Sequence, residues 1–177
     1  LALLNSKLIY FYLKNVCTTL QGGFYDFRRD KISTIPINKN FDNYNEKLEC
    51  QGSKVIVVTD EFNLVNTKFT KYLQSQFAIE KLTKKLENWN DLSFGDFIKE
   101  INKAIKVTNK ERIKNEVQPI KELTKLDEMD WMDVFETKKA EAQALKQQID
   151  STDREIDAMV YELYGLSEEE IAIVENS

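Results

Sequence analysis

Residues 135–166 read FETKKAEAQALKQQIDSTDREIDAMVYELYGL, and the spacing in this stretch decides the fold. Phe135, Ala142, Ile149, Ile156 and Leu163 stand seven apart, and Lys138, Leu145, Thr152, Met159 and Leu166 form a second row of the same heptad. That period is the seam of a coiled-coil-like helix, with weak spots at Lys138 and Thr152. Gly165 stands where a left-handed C-cap belongs. Ser167 with Glu170 makes a capping box that opens a short terminal helix. The acidic cluster at 127–133 supplies negative charge where this helix begins, favourable to its dipole.

A helix over 127–164 would be roughly 57 Å long, whereas a compact globule of this size is about 40 Å across. It must therefore project, bend or lie along another long helix. The natural partner within the chain is a helix predicted over 63–88, with Phe69, Leu73, Phe77, Leu82 and Leu86 apolar. Ser93 caps a further helix over 93–105, Thr108 with Glu111 reads as a capping box for the next, and Pro119 interrupts or restarts that one. At the front, LALLNSKLIYFYLKNV carries Leu4, Leu8, Ile9, Tyr12 and Val16 at helical spacing, and Gln21-Gly22-Gly23 ends that helix. FYDFRRDKISTIPI reads as a short aromatic strand and an extended stretch, 38–53 as an Asn-rich loop with one helical turn, and Val55-Ile56-Val57-Val58 as the clearest strand.

The 177 residues are 31% charged and 42% hydrophobic, with five Gly, two Pro and a mean hydropathy of −0.48. Such a chain has ample core material and favours helix over loop-rich folds. Histidine is absent, which excludes imidazole as base, nucleophile or metal ligand. Cys17 and Cys50 are too few for a metal cage or disulfide scaffold and point to a reducing, cytoplasmic setting. No apolar run approaches the roughly 18 to 20 residues that cross a bilayer. Leu1-Ala2-Leu3-Leu4 reads as the middle of a helix with no initiator Met before it, so the chain is read as a piece of something longer. The net charge of −5 is uneven: 1–86 carries +5 and 87–177 carries −10. An acidic balance argues against a general nucleic-acid glove, although a basic half can still face phosphates.

Three stretches invite chemistry. VIVVTDE at 55–61 has the apolar-strand-plus-acid form of a magnesium site in nucleotide hydrolases, but no Gly-rich loop ending in Gly-Lys-Ser/Thr accompanies it. Glu136-Thr137-Lys138 has the carboxylate-x-lysine spacing of magnesium nucleases yet lies inside the predicted long helix. An exposed helix turn is the simpler reading. Phe24, Tyr25 and Phe27 beside Arg28, Arg29 and Lys31 form the one basic-aromatic cluster, suited to phosphates, sugars and bases; composition alone favours the plainer reading, a core strand whose polar neighbours are solvated.

Both ends resemble one family. LALLNSKLIYFYLKN followed by GGFYDFRRDKISTIPI looks like the end of a target-recognition domain in restriction–modification proteins. QQIDSTDREIDAMVYELYGLSEEEIAIVE looks like the tail that closes adenine-specific DNA methyltransferases of the type IIG restriction class. Leu92-Ser93-Phe94 before a helix, and the 131–135 stretch, fit the same enzymes. The resemblance implies an upstream methyltransferase domain that binds S-adenosylmethionine and flips adenine into an Asn-Pro-Pro-aromatic site. A nuclease, where present, would use magnesium. This chain has neither a Gly-rich cofactor loop nor a Pro-Pro pair, so the expectation is a non-catalytic segment with no cofactor or metal of its own.

The expected architecture is mainly α with a small β component (α+β), long coiled-coil-like helices packing beside the remnant of a recognition domain. Residues 1–62 would close that domain and 63–177 would form the helical spacer. Its partners would be double-stranded DNA, met through the parent enzyme, and the methyltransferase domain of the same protein, with no membrane. Arg28, Arg29, Lys31 and Lys14 are the candidate DNA contacts. Two other readings stand beside this one: part of a type I specificity subunit, and a helical interaction module without DNA.

Overall fold

The computed structural model describes residues 1–20, 22 and 24–177. It is 74% helical. Among the described residues seven α-helices run in order: α1 Lys7–Val16, α2 Arg29–Ile32, α3 Asp42–Phe77, α4 Lys84–Glu87, α5 Phe94–Lys114, α6 Lys125–Tyr164 and α7 Glu168–Glu175, with 3-10 turns at Leu3–Asn5 and Trp89–Asp91. Two compact units form, one from Leu1–Val58 and Gln148–Ser177, the other from Thr59–Gln147. Each of the two long helices, α3 and α6, supplies residues to both.

The heptad rows explain α6. Phe135 and Ala142 are fully buried in the second unit, and Ile156 and Leu163 are buried in the first. Thr152, the polar member of the seam, is buried as well, and its hydroxyl donates to the Gln148 carbonyl of its own helix at 2.8 Å. Lys138 stays outside and pairs with Glu141 at 2.7 Å. The start is a reciprocal cap: the Thr124 N–H donates to Asp127 Oδ2 at 2.8 Å and the Asp127 N–H to Thr124 Oγ1 at 3.4 Å. At the other end Gly165 adopts φ +67°, with Gly165 N–H on Glu162 O and Leu166 N–H on Tyr161 O, both at 3.1 Å. That double bond is a Schellman stop. The Ser167–Glu170 capping box then opens α7.

The predicted β component is not shown. Among the described residues, β pairing is limited to an isolated antiparallel bridge between Thr19 and Tyr25. Val55-Ile56-Val57-Val58 lies inside α3, and 38–53 is helical from Asp42 onward. The reason is a second heptad. Leu48, Val55, Phe62 and Phe69 are seven apart, and all four are buried or half-buried. Ile56 and Val57 face outward instead, 50% and 56% exposed. Tertiary burial of one helical face outweighs the modest strand preference of β-branched residues.

Other boundaries shift for local reasons. Ser6, at ψ 152°, breaks the opening helix and caps α1 by accepting the Ile9 N–H, and its own hydroxyl donates to Leu3 O at 2.7 Å. Of the predicted stop at Gln21-Gly22-Gly23, Gln21 and Gly23 lie outside the described residues, while α1 already ends at Val16. The helix predicted over 63–88 closes at Phe77, where Ala78 turns left-handed at φ 46° and the Ile79 N–H reaches back to Gln74 O. Thr108 is a buried residue inside α5 rather than a cap. After α5, Asn109 clamps the chain beyond Pro119, bonding Ile120 through both backbone groups at 2.7 and 2.8 Å.

In the second unit α3, α5, α6 and the Trp89 turn enclose an aromatic core, with Phe69–Trp89 centroids 4.0 Å apart and Phe97–Phe135 stacked at 4.5 Å. The core of the first unit gathers Ile9, Leu13, Ile35, Leu48, Ile156 and Val160.

Two substitutions contrast an exposed site of α3 with a buried site of α6. Val57→Ala is expected to be neutral or stabilising by about 0.5 kcal/mol, because Ala is the better helix former at an exposed site. Phe135→Ala is expected to cost about 3 to 5 kcal/mol as a core truncation. Urea unfolding of both variants measures the contrast.

Candidate nucleic-acid interface

The basic-aromatic cluster lies in the first unit. α1 forms because Leu8, Ile9, Tyr12, Leu13 and Val16 repeat at helical spacing, burying Ile9 and Leu13 against the core. Its outward side carries Tyr10 and Lys14 one turn apart, with the Lys14 ammonium 5.5 Å from the Tyr10 ring centre. That distance is within cation–π range. Tyr10 meets Phe27 edge to face at 6.4 Å, and Phe27 stacks on Tyr25 at 6.2 Å. Phe24 is exposed. Leu4, Tyr10, Leu13, Phe27, Ile32 and Ile35 border a cleft of about 320 Å³.

α2 is a single turn and brings the cations close in sequence without aiming them together. Arg28 occupies its N-cap with extended backbone and forms an ion pair with Asp26, Nε to Oδ2 at 2.5 Å. Asp26 thus competes for this guanidinium, whose side chain stays 73% exposed. Arg29 and Lys31 are two apart in one helical turn, which points them to different sides. Arg29 is exposed and Lys31 half-buried. Thr34 anchors the turn: its Oγ1 donates to Lys31 O at 2.6 Å, and the Tyr12 hydroxyl donates to Thr34 O at 2.9 Å. Thus the structure joins Lys14, Tyr10, Phe27 and Arg28 along one aromatic row, with Arg29 and Lys31 on the following turn. Such an edge can seat a phosphate or a sugar face beside Lys14. It offers no arrangement of nucleophile and base.

A second charged constellation was not visible in the sequence. Asp157, buried in the first unit, accepts the Lys7 backbone N–H at 2.8 Å and lies 4.0 Å from the Lys7 ammonium. The same ammonium pairs with Glu175 of α7, whose other oxygen accepts the Tyr161 hydroxyl at 2.7 Å. Burial pushes the Asp157 carboxyl above the usual carboxylate range, against the pull of Lys7. The Lys7 hydrogen bond, helped by Tyr161, holds Glu175 below that range. Burial, then the Glu175 bond, raises the Tyr161 phenol. Asp157 thus caps the start of α1, where its charge meets the helix dipole, while Glu175 ties α7 to α1. The only sequence signal is the cluster of carboxylates at 150–157, which points equally well to a solvated face.

Among the described residues no group of three or more His, Cys, Asp or Glu side chains is placed to hold a metal ion. Nor is any helix there long and apolar enough to cross a membrane. Glu136-Thr137-Lys138 is an exposed turn of α6. A family model described as a domain of unknown function, DUF8810, matches residues 41–160. No curated protein and no solved structure matches the chain.

The two carboxylates respond to pH in opposite senses. Asp157, with its folded pKa raised, supports folding fully below the unfolded value of about 4 and loses that support as pH rises through the folded pKa. Glu175, with its folded pKa lowered, contributes above the unfolded value and loses that contribution as pH falls through the folded one. Asp157→Asn is therefore expected to raise stability at neutral pH, and Glu175→Gln to lower it. Both differences should shrink toward about pH 3, as unfolding midpoints at the two pH values will read.

Proposed function

We propose, taking as premise that the chain belongs to the DUF8810 family, that it is a non-catalytic helical spacer with a DNA-contacting edge. Its parent would be a restriction–modification enzyme that methylates adenine within a specific sequence. The observation that carries this reading is the pair of long helices. At 36 and 40 residues, α3 and α6 are about 54 and 60 Å long at 1.5 Å per residue. Helices of that length suit a part whose task is to set the distance between a recognition domain and a methyltransferase domain. The resemblance of both chain ends to such enzymes supports the same assignment.

On this reading residues 1–62 close a target-recognition domain, with the Thr19–Tyr25 bridge as the remnant of its β structure, and 63–177 form the spacer. Lys14, Arg29 and Lys31 touch phosphates and fix register, while base reading belongs to loops elsewhere in the parent. Arg28 contributes less, because Asp26 competes for it. S-adenosylmethionine, and magnesium if the parent cleaves, act in other domains. The setting is the cytoplasm. A type I specificity subunit would use the same segment differently, pairing it with a second recognition domain in the same polypeptide.

The other reading, a helical interaction module without DNA, is favoured by one specific observation: Asp26 and Asp30 sit among the very cations on which the first reading depends. Duplex binding read by fluorescence anisotropy across a salt series separates the two. Weak binding at about 50 mM salt is expected, and Arg29→Ala with Lys31→Ala should flatten the log–log slope by up to about 1.8. No binding even at that salt concentration overturns the DNA reading in favour of the module.

A further inference from the structure

In the second unit α3 and α6 lie antiparallel, since Tyr72 and Phe77 both pack on the Trp131 ring near the start of α6, at 5.7 and 4.9 Å. One side of the pair is covered by α5 and the Trp89 turn. The opposite side is an open groove of about 740 Å³ with an apolar floor that includes Val65, Phe69 and Leu145. Its walls leave large apolar side chains in solvent: Leu64 is 52% exposed, Tyr72 48% and Val134 42%. Soluble surfaces seldom leave such side chains gathered in one groove without a partner.

The charges on the rim are sorted along its length. Glu61 on α3 and Glu141 on α6 lie toward Leu145, while Lys68 and Lys138 lie toward Tyr72, the two α6 charges being only about one turn apart. Glu61 and Lys68 are about 10 Å apart along α3. A groove with one acidic and one basic end is complementary to a reversed copy of itself. A two-fold axis along the helices would set acid on acid, whereas an axis across them sets acid on base. Two-fold pairing is also the commonest closed symmetry, with one self-complementary patch.

We propose that this face is covered by a second copy of the chain, related by a two-fold axis that lies in the plane of the face and runs perpendicular to α3 and α6. In that pairing α3 runs antiparallel over α3 of the second copy, and α6 over α6. Glu61 then approaches Lys68 of the second copy, and Glu141 approaches Lys138. The exposed Lys138–Glu141 pair within one chain can exchange for these contacts at little cost, because exposed surface pairs contribute little to stability. Leu64, near the axis, meets its own counterpart and supplies the apolar centre.

Sedimentation equilibrium on the 177-residue chain tests this pairing. A monomer–dimer equilibrium is expected within the micromolar range. Lys68→Glu with Lys138→Glu should weaken it by roughly tenfold or more, and adding Glu61→Lys with Glu141→Lys should restore it. Leu64→Asp should leave a monomer that matches the unaltered chain in helicity and, at concentrations below the dimer dissociation constant, in unfolding midpoint, which shows that folding is not what was lost. An unaltered chain that stays monomeric to millimolar concentration overturns the proposal. So does failure of the fourfold charge exchange to restore association.

Discussion

Burial of one stripe of α6 is the constraint on which the rest of the structure depends. A 40-residue helix with this composition has no reason to persist alone, because most helical stability in proteins comes from an apolar face packed on something else. In the second unit Phe135 supplies that packing against Phe97, Trp89 and Phe94. In the first, Ile156 and Val160 close over Ile9, Leu13 and Leu48. The other elements are placed by what they cover: α5 lies over the aromatic seam and α1 over the aliphatic one, with α7 held to α1 through Glu175.

The terminal third was largely legible in the sequence because several signals agreed. A heptad, a glycine and a capping box all marked the same boundaries, and Gly165 and Ser167 do what those signals imply. The middle was misread because two signals conflicted. Four β-branched residues in a row carry a local strand preference, yet Val55 and Val58 face inward while Ile56 and Val57 do not. The seven-residue recurrence of Leu48, Val55, Phe62 and Phe69 was the stronger signal, and it is visible only in a window longer than the run itself. Capping pairs misled for a related reason. Thr108 and Glu111 have capping spacing, but Thr108 sits under a neighbouring segment and the helix continues through it.

The basic-aromatic edge was legible as a cluster and not as a geometry. Sequence adjacency of Arg28, Arg29 and Lys31 suggested a combined positive patch, whereas a single turn of helix disperses Arg29 and Lys31 and Asp26 competes for Arg28. The Lys14–Tyr10 contact depends on which side of α1 is buried, and that is set by tertiary packing. The Lys7–Asp157–Glu175–Tyr161 network joins residues from the two ends of the chain. No local pattern encodes a contact across 168 positions.

The seam of α6 also carries a record of its own alignment in the volumes of its members. Phe135 and Ala142 occupy equivalent places one repeat apart, both without solvent contact. Were α6 to slip by one repeat in one direction, the largest slot would receive a methyl group; in the other direction, the smallest would have to admit a benzyl ring. The first error opens a void that costs about 3 to 5 kcal/mol, and the second adds steric strain of about 1 to 3 kcal/mol. A uniform row of leucines would tolerate the slip. The unequal pair works like the wards of a lock, admitting one setting of the helix and rejecting its neighbours.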